Sequence, residues 1–164
     1  MNIYFRQLFI SLSLLLTLAS CSNQAMVPEL SFTDIDNKPH AFHDYRGQAV
    51  LVVFWATDCP SCIQEMPELI ALHNQYSEKN LKIIAVAMDY DSLDHIHAMR
   101  AKKKLPYLIV WDKGMKISQA FGNIRVTPTH FLIAPDGEIV MRKIGALNMN
   151  YLEGILHNMG LNPA

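Results

Sequence analysis

The sequence predicts an α/β domain: a mixed central sheet with helices on both sides. Three observations predict it. Between residues 49 and 111, short apolar runs alternate with stretches of helical periodicity; Pro135-Asp136-Gly137 is a strong turn signal between two β-rich runs; and a final helical stretch follows that can cover one sheet face.

Each element has its own reason. Residues 29–33 and 39–42 flank the turn-forming Asp36-Asn37-Lys38 and read as a hairpin. Ala49 to Trp55 is an unbroken apolar run, the pattern of a strand buried on both faces. Residues 61–76 place Ile63, Met66, Leu69, Ile70 and Leu72 at helical spacing, with Pro67 expected to bend the helix. A second buried strand is expected over 82–88, a helix with a Ser or Asp start over 92–103, and a third strand over 107–111. Strand, helix, strand, helix, strand implies parallel pairing through right-handed crossovers. Residues 129–134 and 138–144 form an antiparallel hairpin around the Pro-Asp-Gly turn, and 150–159 the closing helix.

Composition narrows the function. With 14 basic against 15 acidic residues in 164, the chain lacks the basic field that nucleic-acid binding requires. The N-terminus has a different character from the rest. Residues 1–20 hold no acidic residue and one basic one, Arg6, followed by an apolar stretch over 8–19, which is a signal-peptide layout. That stretch is shorter than the roughly 20 residues a spanning helix needs, so export is expected in preference to a permanent transmembrane anchor. Its end, Leu18-Ala19-Ser20-Cys21, resembles the bacterial lipobox, which implies cleavage before Cys21 and lipid on its sulfur. Residues 1–20 are thus read as a lipoprotein signal, 21–27 as a lipidated tether and 28–164 as one folded domain, lipid-anchored in a bacterial cell envelope on the periplasmic or extracytoplasmic side. An ordinary cleaved signal ending near a cysteine is the blander alternative.

The chemistry concentrates at Cys59-Pro60-Ser61-Cys62, between the first buried strand and the helix after it. A helix N-terminus offers unpaired N–H groups and partial positive charge, so it favours thiolate over thiol and makes Cys59 the attacking sulfur. One turn later, Cys62 is close enough to close a disulfide and resolve a mixed one. Two alternatives stand beside this redox couple. Half a zinc site would need a second CxxC or an HxxxH, and the chain offers only Cys21 and the badly spaced His95 and His97. A purely structural disulfide would constrain little chain entropy across so short a loop.

Beyond the pair itself, residues from about 27 to the C-terminus resemble the extracytoplasmic thioredoxin-like thiol-disulfide oxidoreductases of the TlpA and ResA type. The signatures are Val50-Leu51-Val52-Val53-Phe54-Trp55-Ala56-Thr57 before the CxxC, Glu65-Met66-Pro67 after it, Val126-Thr127-Pro128-Thr129 ahead of a strand, and an additional strand and helix over 82–103. The resemblance implies a thioredoxin-like fold with an N-terminal hairpin and a strand-helix insertion. It also implies a protein-disulfide reductase without cofactor or metal, recharged by an integral membrane thiol donor, with apocytochrome c or another oxidised protein as client; Pro60-Ser61 between the cysteines does not set the potential, and oxidation of clients is the alternative direction. Cys59, Cys62 and the proton-shuttling acid Glu65 would carry the reaction. Pro128 would be a cis-proline that turns Thr127 toward the client, with Trp55 beside them.

The chain departs from the pattern in two places. Thioredoxins bury an aspartate six residues before the first cysteine, where this chain has Val53, so proton relay would rest on Glu65 or water. The family often has Trp directly before that cysteine, where this chain has Asp58, a carboxylate that opposes thiolate formation. His130, two residues after Pro128, offers a rival function: copper held by Cys59, Cys62 and His130, although related copper-delivery proteins use CxxxC. Peroxidase relatives place Thr or Ser three before their reactive cysteine, and here that position is Ala56.

Overall fold

The computed structural model describes residues 25–76, 78 and 80–163. The signal segment and Cys21 lie outside the described residues, so cleavage and lipidation remain expectations. Strands β1 (Ser31–Thr33) and β2 (Pro39–Ala41) pair antiparallel as the expected hairpin. Then come β3 (Ala49–Trp55), α1 (Pro60–Tyr76), β4 (Leu81–Ala87), α2 (Leu93–Lys103), β5 (Leu108–Trp111), α3 (Lys116–Ala120), β6 (Thr129–Ile133), β7 (Ile139–Ile144) and α4 (Met149–Asn158).

The five-stranded sheet has the order β5-β4-β3-β6-β7. Strands β3, β4 and β5 are parallel, while β6 and β7 run antiparallel to their neighbours. Because the chain steps from β3 to β4 to β5 in one direction, two right-handed crossovers place α1 and α2 on the same face. Alternate side chains of β3 show this: Leu51, Val53 and Trp55 pack with Leu69 and Leu72 of α1, Ile96 of α2, and Leu152 and Leu156 of α4. Val50, Val52 and Phe54 face the other way, into a core closed by Phe32, Phe42, Ile117, Phe121 and Phe131. Burial on both faces is why β3 reads as an uninterrupted apolar run.

Local rules set the boundaries. The Ser92 side chain accepts the His95 amide at 3.2 Å and starts α2, and Asn148 does the same for Tyr151 at 3.0 Å in α4. Most expected bounds shift by one or two residues. Helix α1 continues through Pro67 without a break in its assignment. Two elements were not expected: a 3-10 turn at Phe42–Tyr45 and α3. Both are too short to show a period, and α3 is started from outside itself, by buried Asp112 accepting the Ile117 and Ser118 amides at 2.8 Å each. Residues 25–27, read from sequence as the end of a tether, are fastened to the domain: the Val27 amide donates to Gly137 and the Ile139 amide to Ala25.

Candidate functional site

Strand β3 ends at Trp55 and helix α1 begins at Pro60, so the intervening loop delivers Cys59 to the first turn of a helix. Proline suits that first position, since its missing N–H would have had no helical partner. Cys59 and Cys62 form a disulfide, with Cα atoms 5.3 Å apart. The Cys62 amide points at the Cys59 sulfur from 3.3 Å, and the Ser61 hydroxyl lies 3.5 Å from it. These are the donors expected to stabilise a thiolate at Cys59. Cys59 is 8% exposed and Cys62 3%, so the upstream cysteine is the more exposed of the two.

Behind the disulfide lies a buried carboxylate. Glu65, one helical turn beyond Cys62, is 6% exposed; its Oε1 accepts the Leu147 amide at 2.8 Å and its Oε2 lies 2.7 Å from Nε2 of His130. A buried carboxylate is tolerable only when such donors replace its water. Cys62, Glu65, Val53, Trp55, Met66, Leu69, Ala85 and Tyr107 line a cavity of ≈ 10 Å³, about the smallest that holds one water. Burial, followed by the Glu65 charge, pushes the Tyr107 phenol well above its ordinary range, so it stays neutral.

His130 sits directly opposite Val53 in the β3–β6 register. At the position where thioredoxins carry an aspartate, this chain therefore has an apolar side chain, and the acid enters the same cavity from α1, with histidine support from β6. His130 is fully buried, and its Nδ1 has no hydrogen-bond partner. With Nε2 engaged by Glu65, the ring serves a carboxylate. Among the described residues no group of three His, Cys, Asp or Glu side chains is gathered for a metal.

The peptide bond between Thr127 and Pro128 is cis. Pro128 is buried, Thr127 half-buried and Val126 55% exposed, and the loop leads into Thr129, which pairs with Phe54 at the end of β3 that leads to the cysteines. Trp55 was expected to meet the client. At 3% exposed, with its Nε1 buried and unpartnered, it belongs instead to the core and to the wall of the Cys62 cavity. Asp58 is exposed, as a residue ahead of the first cysteine can be. Three contributors were not found from sequence: the Leu147 amide, Tyr107 and Asp91, whose carboxylate takes the Thr57 amide and hydroxyl.

The Redoxin family model matches residues 22–156. A curated relative from Bacillus thuringiensis (strain Al Hakam), the thiol-disulfide oxidoreductase ResA, is 35% identical over 130 residues, 79% of this chain and 73% of its own. ResA of Halalkalibacterium halodurans is 32% identical over 137 residues, 84% of this chain and 76% of its own. A solution structure of a Neisseria meningitidis protein described as a thioredoxin superposes with a TM-score of 0.78 at 30% identity, covering 85% of this chain and 93% of that one.

Proposed function

Since the chain belongs to the Redoxin family, in its ResA-like thioredoxin-fold branch, and is a thiol-disulfide oxidoreductase, we propose that it works as a lipid-anchored, extracytoplasmic reductant of protein disulfides. One observation carries this reading: a CxxC disulfide at a helix N-terminus with a buried carboxylate in the cavity behind its second sulfur.

In the reduced protein, the Cys59 thiolate attacks one sulfur of a client disulfide and expels the other as a thiolate. Cys62 then gives its proton to Glu65 and attacks Cys59, re-forming the intramolecular disulfide and expelling the second client thiolate. The client gains two electrons and takes up two protons. Glu65 is the base for the resolving thiol, and the Thr127 backbone beside Pro128 pairs with the extended client segment. An integral membrane thiol donor returns two electrons to the Cys59–Cys62 disulfide. Apocytochrome c is a suitable client, because its haem-attaching cysteines must be reduced before ligation. Residues 1–20 are the signal, and lipid on Cys21 holds the domain at the membrane. No helix of the described residues is long and apolar enough to cross a membrane.

Cys62→Ser tests the reaction, because it leaves the attacking sulfur and removes the resolving one. Clients should accumulate as mixed disulfides on Cys59, visible on non-reducing gels and lost in the Cys59→Ser variant. Absence of any Cys59-linked client would refute the reductase reading. Mass spectrometry of the mature N-terminus tests the anchor separately: an acylated Cys21 is expected, and an unmodified one overturns it.

A further inference from the structure

His130 is the most buried ionisable side chain of the site and takes no part in the exchange chemistry above. We infer that His130 is a positioning residue that donates Nε2–H to Glu65, keeping that carboxylate ionised and turned toward the Cys62 cavity so that it can take the Cys62 proton. The inference rests on the reading of Glu65 as the base.

The hydrogen-bond inventory assigns the proton. Glu65 meets two groups, the Leu147 amide at 2.8 Å and His130 Nε2 at 2.7 Å. The amide is an obligatory donor. A carboxylate satisfies it and also accepts from a histidine protonated on Nε2. The neutral ring then carries its lone pair on Nδ1, the buried nitrogen without a partner. Protonating Nδ1 as well would bury an unpaired N–H on a charged ring, the costlier arrangement.

Among the described residues the cavity wall holds two further donors, the Trp55 Nε1–H and the Tyr107 hydroxyl, and neither is hydrogen-bonded to Glu65, whose partners are His130 and the Leu147 amide. Helix α1 contributes Cys62 and Glu65 to the site; β3 and β4 contribute Val53, Trp55 and Ala85, which do not ionise; and the segment before β5 contributes Tyr107, neutral by burial. The turn after β7 gives only the Leu147 amide. Lys143, opposite His130 in the β6–β7 register, is exposed. With the Nε2–H removed, Oε2 of Glu65 would lose the hydrogen bond it makes now and face a mainly apolar wall.

The test uses full-length oxidised and reduced protein. Long-range ¹H–¹⁵N spectra of the imidazoles should show His130 protonated on Nε2 and bare on Nδ1. In Glu65→Gln, the single amide oxygen must serve the Leu147 N–H, so its NH₂ faces the ring and the His130 proton should move to Nδ1. In wild type, a proton on Nδ1 overturns the inference. The pH profile of glutathione-disulfide reduction gives the functional readout. His130→Leu should move the rising limb up by about one pH unit or more, and His130→Gln, which keeps a donor near the Nε2 position, should restore it. His130→Gln behaving like His130→Leu, or both following wild type, would also overturn it. A profile left unchanged by Glu65→Gln would instead remove Glu65 as the base, which separates the two failures. Should His130→Leu fail to fold, the wild-type spectra and the Gln variants still decide.

Discussion

Asp91 grips Thr57 with both carboxylate oxygens, Oδ2 taking the backbone amide and Oδ1 the hydroxyl, each at 2.7 Å. Thr57 lies two residues before the attacking cysteine, and Asp91 lies just beyond the neighbouring parallel strand. The contact ties the active-site loop to the start of α2. Asp91→Ala should cost about 1–3 kcal/mol in urea unfolding and speed Cys59 alkylation in the reduced protein by loosening its loop. Unchanged stability and labelling would show that the loop is held by β3 and α1 alone.

Removing the buried acid has two separable effects. Glu65→Ala leaves the Leu147 amide and the His130 ring unpaired in the core, and should cost about 3 kcal/mol of unfolding free energy. Glu65→Gln keeps the shape and should slow resolution of the mixed disulfide about 10²-fold, read by stopped-flow release of the client thiol. A resolution rate in Glu65→Gln equal to wild type would make the residue's role purely architectural.

Asp58 places an exposed negative charge beside Cys59. Replacing it with Asn removes a like charge from the forming thiolate, so iodoacetamide labelling of Cys59 should reach half its maximal rate at lower pH. No displacement, or one in the opposite direction, argues that solvent screens the pair completely.

Asp34 links the first hairpin to the sheet. Burial pushes its carboxyl upward, but the Lys38 and Asp36 amides and the His40 ring more than offset this, holding it below its ordinary 3.8. A carboxyl lowered on folding contributes stability that is complete above the unfolded-state value and is lost as pH falls through the folded one. Acid unfolding followed by circular dichroism should therefore begin below about pH 4 and be shallower in Asp34→Asn. Superimposable acid limbs would assign the effect to other carboxylates.

Gly137 turns the β6–β7 hairpin at φ +90°, and the Arg46 guanidinium occupies the place a Cβ would take. Gly137→Ala should cost about 1–2 kcal/mol and lower the Tm by several degrees. A calorimetric Tm equal to wild type would mean that Arg46 swings away and the turn relaxes at no cost.

Much of this was legible in the sequence. The seven residues of β3 match the expected run end for end, because burial on both faces imposes an apolar choice at each position. The cysteines declared themselves through spacing and place, and Glu65 through family resemblance. Its partner did not. His130 is 65 positions away, and no local pattern says which strand residue will oppose Val53 until the register is known. Asp91 escaped notice for the same reason, 34 positions from Thr57. Trp55 also came through the family resemblance, and which side of a doubly covered strand its indole takes is not legible until the two faces of β3 are known.

The flanks of the sheet bear on how long a client is held. Unpaired amides along an outer strand can annex any extended polypeptide brought near them. Here the turn after β1 lies against β5 through Asp34 and Val110, and Met26 lies against the start of β7 through Glu138. Both margins are partly spoken for by the chain's own backbone. A cystine-bearing visitor therefore finds little outer strand to annex at either margin.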